Sequence, residues 1–306
     1  MSDTMEYQGM GWLPDLPDFR DYTAESKAVS TAKAKLGEDQ SVSALLAKVG
    51  VAKPPKAGLI TEVNLRSYCS PVENQLSIGS CTAHAGAGMI EYFERRAFGR
   101  HIDASRLFLY KVTRNLLGWT GDTGAYLRTT MGALTIFGVP PESYYPYNIA
   151  QYDNEPSAFL YAFAQSFQAV SYYRLDPAGV SRDTLLARIK TNLAAGLPSM
   201  FGFTVYYSIR QAGASGAIPF PVASENVLGG HAVMAVGYDD TKKIKNTSPA
   251  GIETTGALLI RNSWGTSWGD GGYGWLPYEY VLRGLAVDWW SLIKKEWVDT
   301  QKFGLK

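Results

Sequence analysis

Three side chains in this chain could together do nucleophilic chemistry: the thiol of Cys81, the imidazole of His231 and the carboxamide of Asn262. Cys81 ends the run Gln75-Leu76-Ser77-Ile78-Gly79-Ser80-Cys81, His231 follows Gly229-Gly230, and Asn262 opens Asn262-Ser263-Trp264-Gly265. A thiol with a pKa near ~8.5 is mostly protonated at neutral pH, so it needs activation. A helix N-terminus supplies partial positive charge and free N–H groups that favour the thiolate, and an imidazolium beside it does the same. Gly79-Ser80 followed by a helical pattern puts Cys81 at such a terminus.

There are three histidines, so the candidate bases can be enumerated. His84 lies three residues past Cys81 on the same expected helix, its side chain leaning back toward the preceding turn. That suits a structural or specificity role. His101 follows Phe98-Gly99-Arg100 and reads as a solvated loop residue. His231 opens an apolar strand, behind two glycines that allow close approach of another backbone or a ligand. A histidine there is either a satisfied core residue or the base, and we take it as the base. The Asn262 amide oxygen can then accept from the ring and fix its tautomer, with Trp264 and Trp268 shielding that bond. Gln75, six residues before Cys81, can donate to a developing oxyanion together with the Cys81 backbone N–H.

These groups need elements to hold them. Met89, Ile90, Phe93 and Ala97 mark a helical stripe after Cys81, closed by Gly99. Its first half is slim (Ala83, Ala85, Gly86, Ala87, Gly88), so close packing must offset the glycine propensity cost. Further helices are expected over 104–117, 125–137 and 183–195, and a short one near 43–49. Strands are expected over 199–206, 231–238, 257–262 and 271–276, with 239–256 a polar, turn-rich hairpin loop carrying an insertion. Helices early and strands late predict an α+β fold with two segregated lobes.

Residues 1–58 differ from the rest. The stretch 11–22 is punctuated by Pro14 and Pro17 and should be extended. Lys53-Pro54-Pro55-Lys56-Ala57-Gly58 reads as a linker. We therefore divide the chain into an N-terminal extension, 1–58, and a main domain, 59–306. The N-terminus carries no signal-peptide pattern as it stands. A net charge of +1 and 46% hydrophobic residues describe a globular chain with no electrostatic footprint for nucleic acid or membrane. Two cysteines, Cys69 and Cys81, exclude a disulfide scaffold, and the scattered histidines give no zinc spacing. Cys69 reads as a small buried hydrophobe. No metal or organic cofactor is expected.

The motifs Gln75…Gly79-Ser80-Cys81, Gly230-His231-Ala232-Val233, Val236-Gly237-Tyr238 and Asn262-Ser263-Trp264-Gly265…Trp268-Gly269…Gly272-Tyr273-Gly274 resemble those of the papain-type cysteine peptidases. Ser70-Pro71-Val72-Glu73-Asn74 and Tyr144-Tyr145-Pro146-Tyr147 are similar to segments of that family too. The resemblance runs in order over about residues 60–285. It implies a papain-like two-lobe fold, a helical lobe and a β-barrel-like lobe, with the cleft between them. It assigns Cys81 as nucleophile, His231 as general base and acid, Asn262 as orienting residue and Gln75 as oxyanion donor. It also implies substrate contacts at Gly124, Tyr126, Ala232 and Trp264. Ile78 stands where the family usually has a disulfide cysteine, Thr82 where an aromatic is common, and Gly230 where many members carry Asp or Asn. These departures resemble the disulfide-free bacterial branch.

The expected activity is hydrolysis of peptide bonds through a thioester, by a monomer acting on a peptide or protein. Acyl transfer to an amine from the same site, and a degenerate fold that only binds peptides, are the rivals. Nothing in the extension matches the long helical prosegment of the plant and lysosomal members. Residues 11–22 are expected either to cross the cleft as an inhibitory propiece or to strap the back of the domain.

Overall fold

The computed structural model describes residues 9–29, 34, 39–52, 58–168 and 171–305. Helix α1 (Val42–Lys48) is capped by Ser41, whose side chain accepts from the Ala44 N–H. The central helix α2 (Cys81–Phe98) is buried almost throughout its first thirteen residues. It packs with α3 (Arg106–Leu117) and α4 (Leu127–Ile136), and together they form the helical lobe. The slim face of α2 has its reason here. A Cβ on Gly86 would lie 3.1 Å from Thr130 Cγ2 and 3.2 Å from Leu109 Cδ2, and one on Gly88 would lie 2.3 Å from an Arg261 guanidinium nitrogen. Gly99 ends the helix at φ +74°, its N–H closing onto the Arg95 carbonyl. Helix α6 (Arg182–Ala194) and the shorter α5 (Ala158–Ala164), α7 (Tyr278–Leu282) and α8 (Lys295–Asp299) complete the set among the described residues.

The second lobe is one antiparallel seven-stranded sheet: β1 (Glu62–Asn64), β2 (Ser171–Arg174), β3 (Ser199–Tyr206), β4 (Val227–Lys245), β5 (Glu253–Arg261), β6 (Tyr273–Pro277) and β7 (Ala286–Ile293). The order is β2-β7-β3-β4-β5-β6, with β1 added to β4. Its outer strands β2 and β6 do not pair among the described residues, so the barrel-like lobe of the sequence reading is an open sheet. On β3, Gly202 faces Ala232, Phe203 faces His231 and Thr204 faces Gly230.

Two expectations change. The stretch 239–256 is mostly strand. Asp239 pairs with Ala257 and Lys243 through Lys245 pair with Thr255 through Glu253, across one register shift between Asp239 and Lys243, leaving a short tip. Its polar composition reflects a ribbon at the edge of the core: Lys243, Lys245, Glu253 and Thr255 face solvent, and Ile244 is the one large apolar side chain turned inward between them. The two lobes also share the extension. Val42, Leu45, Leu46 and Val49 are buried, and the Leu305 N–H donates to the Val49 carbonyl. The expected linker falls largely on residues 53–57, outside the described residues.

Candidate active site

Cys81 is the first residue of α2, so the N–H groups of the opening turn point past its side chain. The Ser80 hydroxyl does not cap the helix; it bonds Tyr147 Oη at 2.6 Å, and Tyr147 in turn donates to the Gln75 carbonyl. The Gly79 N–H donates to Asp122. Cys81 is fully buried, with the backbone N–H groups of Ala232, Thr82 and Gly11 near enough to favour its thiolate. Ala232 is the residue after His231, so the thiol lies where β4 meets α2.

His231 is also fully buried. Its Nε2 lies 2.8 Å from Asn262 Oδ1, and its Nδ1 has no hydrogen-bond partner. The ring stacks on Trp264 at 4.6 Å and 23°, and Trp268 meets Trp264 edge-on. Asn262 Oδ1 also accepts the Ser263 N–H, so the amide can turn only at a cost. With its oxygen on the ring, Nε2 carries the hydrogen and Nδ1 the lone pair.

Gln75 is held at both ends. Its Oε1 accepts from Ser263 Oγ at 2.6 Å and its Nε2 donates to the Ile78 carbonyl at 3.0 Å. A backbone bond from the Gln75 N–H to the Ser263 carbonyl joins the two lobes at this point.

Burial sets the protonation. The Cys81 thiol is pushed up to about 12, outweighing the N–H donors, and burial lowers His231 to about 4. Both groups are neutral at pH 7. The helix N-terminus favours the thiolate, as expected of its position, and burial works against it.

Residues 9–13 run past these groups. The Gly9 N–H donates to the Leu76 carbonyl, and the Gly9 carbonyl accepts from Trp264 Nε1 at 3.2 Å. Gly11 and Trp12 both donate to the Gly230 carbonyl. The Ala125 N–H donates to the Gly11 carbonyl at 2.8 Å and the Ala125 carbonyl accepts from Leu13, a parallel bridge centred on Trp12. The segment touches both walls of the cleft, and the strap lies on the front of the molecule. Glycine is required on both sides of it: a Cβ on Gly11 would lie 2.0 Å from the Gly79 carbonyl oxygen, and one on Gly124, at φ +72°, would lie 2.2 Å from the Gly11 carbonyl oxygen.

The expected substrate-contact residues are dispersed differently. Gly124 and Ala232 line the strap's path, and Trp264 both covers the His231 ring and reaches the strap. Tyr126 instead caps α4 and its ring lies 5.5 Å from that of Trp119; the residue pairing with the strap is Ala125. Sequence reasoning gave no role to Ser263 or to Asp288, which accepts the Trp12 indole N–H at 3.1 Å. His84 is buried, its Nδ1 against the Ser80 carbonyl and its ring edge-on to Tyr147. Burial pushes it down to about 3, which suits the structural role. Cys69 is buried and unbridged.

A family model of the papain family cysteine proteases matches residues 60–281. The chain belongs to the papain family of cysteine proteases. It is 29% identical over 294 residues to an uncharacterized peptidase C1-like protein of Acanthamoeba polyphaga mimivirus, covering 93% of this chain and 86% of that one. Chicken cathepsin K is 28% identical over 217 residues, a match spanning 55% of its length. Among solved structures, xylellain, a cysteine protease from Xylella fastidiosa, superposes with a TM-score of 0.69 at 30% identity, covering 94% of this chain and 96% of that one. Bromelain from Ananas comosus, at 20% identity and a TM-score of 0.57, shares the fold. This papain-family chain is a cysteine peptidase, a hydrolase acting on peptides or proteins.

Proposed function

We propose that Cys81, His231 and Asn262 are the catalytic groups, that Gln75 and the Cys81 N–H hold the oxyanion, and that residues 9–13 keep the site closed. The observation that carries this is the His231 ring. One nitrogen is committed to Asn262 and the other is left without a partner, on the strand that meets the helix of Cys81, in a setting where an idle buried nitrogen has a cost.

Once the strap leaves, water and substrate reach the pair and the burial that suppresses ionisation is relieved. Cys81 transfers its proton to His231 Nδ1, and Sγ attacks the substrate carbonyl carbon. The C–O π electrons move to oxygen, where the Gln75 Nε2–H and the Cys81 N–H receive the charge. His231 returns its proton to the leaving amine, the C–N bond breaks and a thioester remains. A water deprotonated by His231 then attacks, and the thiolate leaves with the acid as product.

The strap's resistance to cleavage has a support of its own. The strap group that acts on the Cys81 thiol is the Gly11 N–H, which donates to the Gly230 carbonyl, and not a carbonyl carbon. Beyond the cleft it is fastened to the domain by carboxylates. Arg128 bonds Asp15 and Asp21, and Arg174 pairs with Asp21 and donates its backbone N–H to the Tyr22 carbonyl and a guanidinium N–H to the Asp15 carbonyl. We infer that the cover is residues 9–29, and that α1, whose apolar face is buried, belongs to the body.

The test compares the full chain with one lacking residues 1–29, each treated with a thiol-reactive epoxysuccinyl peptide and weighed intact. One adduct, much faster on the shortened chain and lost in Cys81→Ala, is expected. Equal rates on both chains would refute the closed-site reading.

A further inference from the structure

Trp12 is 5% exposed, and its indole lies in a slot in the β lobe. Two glycines make the slot. A Cβ on Gly202 would fall 1.8 Å from the indole Cε2, and one on Gly230 would lie 2.8 Å from Cε3. At the end of the slot Asp288 Oδ2 accepts the indole N–H at 3.1 Å. Asp288 is fully buried, and its other oxygen is already used by Trp290 Nε1 at 2.7 Å and the Arg174 guanidinium at 3.3 Å. Its backbone has φ +63°, a left-handed conformation that an aspartate adopts at a cost of roughly 1 kcal/mol or more. Its N–H is pinned by Asp176. Backbone and side-chain contacts thus aim one carboxylate oxygen into the slot.

When the strap lifts, Trp12 leaves and that oxygen loses its donor. A buried acceptor left unpaired costs about 1–3 kcal/mol, so an entering side chain that restores the bond is favoured over one that cannot. Charge selects the kind of donor. Asp15 and Asp21 depart with the strap, leaving the Arg128 and Arg174 guanidiniums with Asp176 and Asp288. Two cations then balance two carboxylates, and a third cation from a lysine or arginine substrate gains little. The shape selects a flat ring, because only the missing Cβ atoms open the slot.

We propose that this slot is a substrate side-chain site selective for tryptophan, with Asp288 as the residue that reads the indole N–H. The proposal rests on the reading of the cleft as the peptidase site and adds the class of substrate it takes.

The test keeps the full chain. In Trp12→Gly the slot is vacated, and 3-methylindole and 3-methylbenzofuran differ as probes only by N–H against O. Calorimetry is expected to show 3-methylindole binding about tenfold tighter or more. That preference is expected to vanish in Trp12→Gly combined with Asp288→Leu; should the double variant not fold, the two probes on Trp12→Gly decide alone. Peptides carrying one tryptophan at successive positions on the acyl side are then compared with phenylalanine, arginine and 1-methyltryptophan at the same positions. At one position tryptophan is expected to exceed all three about tenfold in kcat/KM. Equal binding of the two heterocycles, or turnover with no preference for tryptophan at any position, overturns the proposal. N–H-selective binding with no peptide turnover, by Trp12→Gly or by the chain lacking residues 1–29, upholds the slot and removes the catalytic assignment instead.

Discussion

Trp264 donates its indole N–H to the carbonyl of Gly9 at 3.2 Å while its ring stacks on His231. One side chain thus shields the base and anchors the segment that covers it. The cover and the catalytic group share a wall, so disturbing the strap is felt at His231 and Cys81 without altering either.

Gly11→Ala tests that coupling. The new Cβ has no room beside the Gly79 carbonyl, and the strap must give because Gly79 sits in the anchored turn before α2. The expected outcome is labelling of Cys81 at least about tenfold faster than in the parent chain, which corresponds to roughly 1.4 kcal/mol of weakened closure. Unchanged labelling kinetics would show that residues 9–13 do not gate the thiol.

Asn262→Ala leaves His231 Nε2 without its acceptor and the ring free to turn. On the open enzyme kcat/KM is expected to fall about 10²-fold or more, with KM little changed, because the tautomer and aim of Nδ1 matter in the transition state. A rate within twofold of the parent would remove Asn262 from the mechanism.

Gln75→Ala is expected to lower kcat by about 10²–10³-fold, the usual cost of losing one oxyanion donor. Ser263→Ala acts through Gln75, whose Oε1 it holds at 2.6 Å, so a smaller loss of about tenfold is expected. Combined with Gln75→Ala it should add nothing further. Additive losses would mean that Ser263 acts elsewhere.

Acidity provides an independent check. In the closed chain burial raises the Cys81 thiol to about 12, above its unfolded value. A group whose folded pKa is raised adds stability that is fully present below the unfolded pKa of ~8.5 and is lost as pH climbs toward the folded one. Thiolate absorbance near 240 nm should therefore be missing from the intact chain up to pH 9 and appear below that pH in Gly11→Ala. Thiolate absorbance in the intact chain at pH 7 would contradict the buried neutral pair.

The sequence made much of this legible, for physical reasons. Cys81 and His231 are residue types able to carry chemistry, in surroundings that leave few alternatives, and α2 shows as a 3.6-residue stripe. Strands β3 and β6 stand out as aromatic or glycine-rich runs between turns. What stayed hidden depends on partners distant in sequence. Asp288 sits in β7, a strand too uniformly apolar to show alternation, and its role exists only because Trp12, 276 residues away, reaches it. Ser263 matters through Gln75, and Ala125 matters through backbone atoms that every residue has. The ribbon beyond Asp239 hides in the sequence because its buried face carries Thr254 and Gly256 beside the single apolar Ile244, which gives no clear period-two signal.

The most direct measurement is the mass and rate of epoxysuccinyl labelling on the full chain, on the chain lacking residues 1–29, and on His231→Ala within that shortened chain. The expected result is slow labelling, fast labelling and almost none, each adduct on Cys81. Fast labelling of the full chain would contradict the closed site, and fast labelling of the His231→Ala chain would contradict the pair on which the proposed mechanism rests.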